Sequence, residues 1–133
     1  MKRLSFLRIL ILFLFIVFSL KLSAETYRYY TTAFTYSESS SEYWEPWTYS
    51  ELYVDMNTNS NIVVIHSNYL QVYYLIKSYG ESSMGQSRYI TFDFIDQDND
   101  RGILRMVKSP GKIMELYIEY ADIKWCYRIK QLK

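Results

Sequence analysis

Beyond Ala24 the chain alternates apolar and polar residues with a period of two, and no stretch keeps a 3.6-residue apolar period over three turns. Such alternation marks half-buried strands, and the enrichment in aromatic and β-branched residues agrees with it. A first strand is predicted near Tyr27–Tyr36, before a polar stretch at 37–42 and the aromatic segment Tyr43–Trp44–Glu45–Pro46–Trp47. A second strand over Glu51–Met56 places Leu52, Val54 and Met56 on one face. The Asn-rich run 57–61 reads as a turn into a third strand at Ile62–His66, because Asn tolerates left-handed backbone and forms Asx turns. The fourth strand, Leu70–Tyr79, carries Val72, Tyr74 and Ile76 on one face and Gln71, Tyr73 and Leu75 on the other; Gly80–Ser87 reads as a loop.

The second half continues in the same rhythm. A fifth strand at Arg88–Asp96 aligns Ile90, Phe92 and Phe94, and an acidic turn at 96–102 leads to a sixth at Gly102–Lys108. Ser109–Pro110–Gly111–Lys112 has turn chemistry. A seventh strand at Ile113–Tyr120 turns Met114, Leu116, Ile118 and Tyr120 inward. The last, Ile123–Lys130, sends Trp125, Tyr127 and Ile129 to the core and Lys124, Cys126, Arg128 and Lys130 outward. The fold class is therefore all-β: a single antiparallel meander of about eight strands, since short links pair sequence neighbours. It forms a small up-and-down barrel, or a half-open barrel or sandwich. One domain, 25–133, accounts for the chain after its first segment.

Residues 1–24 follow a different pattern. Lys2, Arg3 and Arg8 precede Ile9–Leu20, a run of 12 residues with 11 apolar ones, and Ser23–Ala24 offers a cleavage site. This is the pattern of a secretory signal peptide. A retained anchor is the alternative, although the run is shorter than the roughly 20 residues of a spanning helix. The expected location is periplasmic, cell-surface or extracellular, with membrane contact only through an uncleaved signal peptide.

Removing that segment changes the charge picture. The whole chain has 15 Lys and Arg, 14 Asp and Glu and a net charge of +1. Without Lys2, Arg3, Arg8 and Lys21 it keeps 11 bases against 14 acids, a formal charge of −3. That argues against nucleic acid, whose binders present a basic face. Residues 25–55 hold six acids and one base, whereas 101–133 hold eight bases and three acids. Either the two segments complement each other internally or they create a dipolar surface that steers a partner.

A diffuse resemblance covers most of 27–130. It rests on the Trp44/Trp47 pair, Leu52–Met56, Ile62–Ser67, Gln71–Val72–Tyr73, the Phe92–Gly102 strand with its acidic turn, and Leu116–Tyr120 leading to Trp125–Tyr127. In these features the chain resembles a group of small secreted proteins from Bacteroidetes-type bacteria. The resemblance implies a fold and an exported location, and no mechanism.

Candidate chemistry is sparse. One Cys and one His exclude an intramolecular disulfide and two-His metal motifs. His66 could act as a general base, but no GxSxG elbow accompanies it, and it also reads as an ordinary strand-end residue. Glu115 and Glu119 share a strand face at roughly 13 Å, too far apart for a glycosidase carboxylate pair. Asp96, Asp98 and Asp100 form either a polar hairpin turn or a weak calcium loop; the positions lack the Gly and Glu of an EF-hand. Cys126, flanked by Lys124 and Arg128 on its face, is either a half-buried small residue or a thiol poised for reaction or an intermolecular disulfide. Tyr43, Trp44 and Trp47 are either a ligand platform or rings that plug a barrel end.

The expected function is non-catalytic binding of a protein, peptide or glycan through this aromatic loop, with no cofactor. The alternatives are a lipocalin-like barrel holding an apolar ligand, and a secreted enzyme or enzyme inhibitor.

Overall fold

In a pleated chain, alternate side chains face opposite ways, so each strand of this sequence becomes a wall with one apolar side. The computed structural model describes residues 26–38 and 41–132; segment 1–24, for which the sequence pattern predicts a signal peptide, lies outside the described residues. Nine strands follow one another: β1 (Thr26–Glu38), β2 (Thr48–Tyr49), β3 (Tyr53–Asn57), β4 (Ile62–His66), β5 (Leu70–Met84), β6 (Ser87–Asp96), β7 (Arg101–Ser109), β8 (Ile113–Glu119) and β9 (Ile123–Gln131). A 3₁₀ turn, Pro110–Lys112, joins β7 to β8.

All pairings are antiparallel, and from β3 to β9 each strand pairs with the next. β1 closes the ring. Its first part pairs with β3 from Thr26–Asn57 to Tyr30–Tyr53, and most of its length pairs with β9 from Tyr29–Gln131 to Glu38–Ile123. The result is a closed eight-strand meander barrel, with β2 outside the ring as an extra strand on β1. A bulge between Thr31 and Ala33 marks the place where β1 leaves β3. There Thr31 N–H donates to Leu52 O at 2.8 Å, and Thr31 Oγ1 accepts Leu52 N–H at 2.8 Å, so the backbone stays satisfied.

The interior is filled. Val54, Val63, Ile65, Tyr73, Phe94, Leu104, Leu116, Ile118, Tyr127 and Ile129 form one buried cluster. Phe94 stands edge-on to Tyr73 (4.8 Å between centroids) and to Tyr120 (5.3 Å), and Tyr120 meets Trp125 at 5.3 Å. Aromatic pairs favour such tilted contacts. The Tyr hydroxyls find partners: Tyr73 donates to Gln71 Oε1 at 2.6 Å and Tyr120 to Asp96 Oδ2 at 2.7 Å. Burial pushes the Tyr73 hydroxyl well above the usual tyrosine range, so it stays a neutral donor. Trp125 Nε1 is buried without a partner among the described residues.

Two elements differ from the sequence pattern. The loop expected at Gly80–Ser87 is mostly strand, because β6 continues to pair with β5 as far as Met84–Ser87. Gly80, at φ +77°, lies within an irregularity between Ser78 and Glu81, so the ladder bends without ending. The two-residue strand β2, directly after the aromatic segment, has no separate signal in the sequence pattern. The Asn-rich turn behaves as expected: Asn61 takes a left-handed φ of 56°, and Asn57 Oδ1 accepts the Asn59 and Ser60 N–H groups.

Candidate functional site

The aromatic segment is a strap across the outer wall of β1 and β9. Two small hydroxyl residues on the outward face of β1 hold it. Thr35 Oγ1 donates to Glu45 O, and Ser37 Oγ donates to Tyr43 O. Glu45 N–H returns a bond to Tyr36 O at 2.9 Å, and β2 then pairs Thr48 and Tyr49 with Phe34 and Ala33. Thr35, Ser37 and Cys126 are buried although they point away from the barrel interior. They form a small second layer under the strap.

The rings sort into two roles. Trp44 is half-buried, with its ring 6.0 Å from Tyr117 at a 75° angle and Lys124 Nζ 5.1 Å from its centroid. It is a wedge on the barrel wall, not a plug at a barrel end. Trp47 remains 39% exposed, Tyr43 65% and Tyr49 81%. Arg128 lies 4.1 Å over the Trp47 ring. Tyr49, which the sequence pattern did not single out, donates to Glu51 Oε2 at 2.8 Å.

These contacts also answer the charge asymmetry. β1 and β9 are neighbours, so the acid-rich and base-rich segments do meet. Among the described residues, however, no ion pair joins them; the three ion pairs are Arg28–Asp55, His66–Asp55 and Arg88–Glu81. Lys124 and Arg128 sit on aromatic faces instead, where the ring quadrupole attracts a cation.

Cys126 is 1% exposed. Burial pushes its thiol up, and the Glu115 carboxylate, 3.9 Å from Sγ, adds to the effect. The thiolate expected from flanking cations is thus disfavoured, since desolvation outweighs the pull of Arg128. An intermolecular disulfide here would require the strap to lift.

The acidic turn gathers no metal-binding cluster. Asp96 Oδ1 accepts the N–H groups of Asp98 and Asp100, each at 2.9 Å, while Oδ2 accepts the Tyr120 hydroxyl. Both oxygens of Asp96 are occupied in holding the turn, and Asp98 and Asp100 lie exposed. Among the described residues no three His, Cys, Asp or Glu side chains converge. In this structure the role of Asp96 is to anchor the turn.

His66 contacts Asp55 Oδ2 through Nε2 at 2.8 Å on the outer surface. Asp55 also accepts two bonds from Arg28, at 2.7 and 2.9 Å, which hold its carboxyl below the usual range. The aspartate is thus engaged mainly by arginine. Arg28 in turn lies 4.9 Å over Tyr53.

Two cavities lie at the rim of the barrel. One, of about 820 Å³, opens between the Pro110–Lys112 turn and the ends of β9 and β1. A second, of about 480 Å³, lies by Glu51, Leu52 and Tyr53. Alternation along single strands gave no sign of the larger one, because four strands and a turn contribute to it; the excess of bases at 101–133 is the one trace it leaves. The chain matches no family model, no curated protein and no solved structure.

Proposed function

We propose that this barrel is a non-catalytic binding domain whose partner surface is the strap at 43–49. One observation carries the reading: the strap backbone is pinned to β1, yet Tyr43, Trp47 and Tyr49 are held outward with 39–81% of their surface exposed. Large flat rings fixed in advance bind at low entropic cost, because few rotamers are lost. Their polar tips suit a peptide or a glycan, where apolar faces and hydroxyls alternate. The interior, filled by Tyr73, Phe94 and their neighbours, leaves the outer surface and rim for recognition.

The reading predicts a hit on a combined peptide and glycan array probed with the full chain. In a Tyr43→Ala/Trp47→Ala double variant, that signal should fall at least ~10-fold with little change in thermal midpoint, as for hot-spot rings at an interface. A variant that keeps full signal, or a wild type that binds nothing on the array, would refute the strap as the partner surface.

We also propose that the domain acts outside the cytoplasm. The basic start, the apolar run Ile9–Leu20 and the Ser23–Ala24 site support this. So does the resemblance to small secreted proteins. Intact-mass measurement of the cell-envelope and culture fractions should find a product beginning at Glu25; a full-length chain confined to the cytoplasm would overturn export.

A further inference from the structure

β8 and β9 pair only as far as Met114–Ile129, whereas β9 runs on to Gln131 along β1. That step in the rim, beside Gly111 of the Pro110–Lys112 turn, makes the notch of about 820 Å³. Its floor is apolar. Met114 and Ile129 reach it from the inward-facing series, and Ile113 and Leu132, 52% and 41% exposed, flank it. Its polar wall has one sign: Lys108, Arg128 and Lys130 line it, and no Asp or Glu does.

None of these three cations makes an ion pair among the described residues. Lys108 continues the inward series of Leu104 and Met106, which brings its charge to the mouth of the barrel. Glu115 is the register partner of Arg128, but its carboxylate is engaged elsewhere, by the Tyr117 hydroxyl at 3.4 Å and Cys126 Sγ at 3.9 Å. Arg128 Cζ lies 4.1 Å over the Trp47 ring, and a guanidinium held on an aromatic face still has N–H donors to offer an anion. Three cations lining one notch with no acid beside them are left for an external anion, and the apolar floor lowers the local dielectric and strengthens the attraction.

We propose that this notch binds a free single-chain carboxylate amphiphile. Its headgroup sits among Lys108, Arg128 and Lys130, and its tail lies on Met114, Ile129, Ile113 and Leu132. Charge complementarity selects the headgroup. The apolar floor excludes a bare small anion as the best ligand. The concave shape, within the ~300–1,000 Å³ of small-molecule sites, favours one amphiphile over a bilayer surface. The site is distinct from the strap reading and shares only Arg128 with it.

The test uses the full chain and three probes: sodium decanoate below its micelle concentration, decanol as the tail alone and acetate as the head alone. Calorimetry should show decanoate binding at least ~10-fold tighter than either, in line with one added charge-assisted contact set. The Met114 methyl signal should shift in NMR, and affinity should fall as salt rises. Lys108→Glu/Lys130→Glu should weaken decanoate at least ~10-fold at an unchanged thermal midpoint, since both side chains are exposed. Ile113→Asp, altering the opposite wall, should do the same. Trp47→Ala should leave decanoate binding within a few-fold. Decanol binding as tightly as decanoate, no binding of decanoate, or undiminished binding in both charge and wall variants would overturn the proposal. So would tighter binding to phosphatidylglycerol vesicles than to decanoate, which would make this a membrane-facing rim.

Discussion

Gly102 occupies an inward position of β7, directly opposite Phe94 on β6. A Cβ there would lie 2.5 Å from Phe94 Cζ and 2.5 Å from the Glu119 carbonyl oxygen. The Phe94 ring fills the space that a side chain would take, and its edge-on contacts with buried Tyr73 and partly buried Tyr120 depend on that placement. Gly102→Ala should therefore destabilise by about 1–3 kcal/mol, the usual range for overpacking, measured by urea denaturation. Adding Phe94→Leu should recover only part of that increment, because the Glu119 backbone remains in the way; additive losses would disprove the contact. In sequence Gly102 reads as the end of an acidic turn, since the steric demand comes from a ring on another strand. Asp96 is similar. Its place in a polar turn is legible, but its bond to Tyr120 joins residues 24 apart, and no local pattern encodes it.

The strap shows what alternation conveys about an element and what it omits. The period-two pattern assigns Cys126 to the outer face of the last strand, and the structure agrees. It contains no signal that the outer face is covered. Thr35 and Ser37, small hydroxyls at outward positions just before an aromatic run, are the one hint, and they become meaningful only when paired with Glu45 O and Tyr43 O. The two tryptophans of the strap look equivalent in sequence and differ in the fold. Trp44→Ala should cost about 1–2 kcal/mol, below the ~3–5 kcal/mol of a fully buried Trp, because Trp44 is only partly buried. It should also expose Cys126, so the native thiol should react with an aromatic disulfide reagent far faster than in wild type. Trp47→Ala should change neither stability nor labelling appreciably. Equal labelling of the two variants would show that Trp44 does not hold the strap down.

Closure of the barrel joins the two ends of the described chain, and here the sequence pattern reaches its limit. Short links dictate the strand order from β3 to β9, so the meander is legible. Whether the first and last strands meet depends on pairing across the largest separation in the chain, and a half-open sheet satisfies the same alternation. The seam that forms is among the most extensive contacts in the molecule: β1 and β9 pair from Tyr29–Gln131 to Glu38–Ile123, and Leu132 N–H still donates to Arg28 O at 2.9 Å. Thr26 and Leu132 therefore lie on neighbouring strands at one rim. A circular permutant that joins them through a short Gly-Ser linker and opens at Gly85–Gln86, an exposed tip outside the buried cluster, should fold to the same barrel. Making the seam a local hairpin removes the costliest loop closure, so folding should accelerate while the unfolding rate changes little. Stopped-flow chevrons of the two forms test this. A permutant that fails to fold, or folds no faster, would mean that the β1–β9 seam is not what limits assembly.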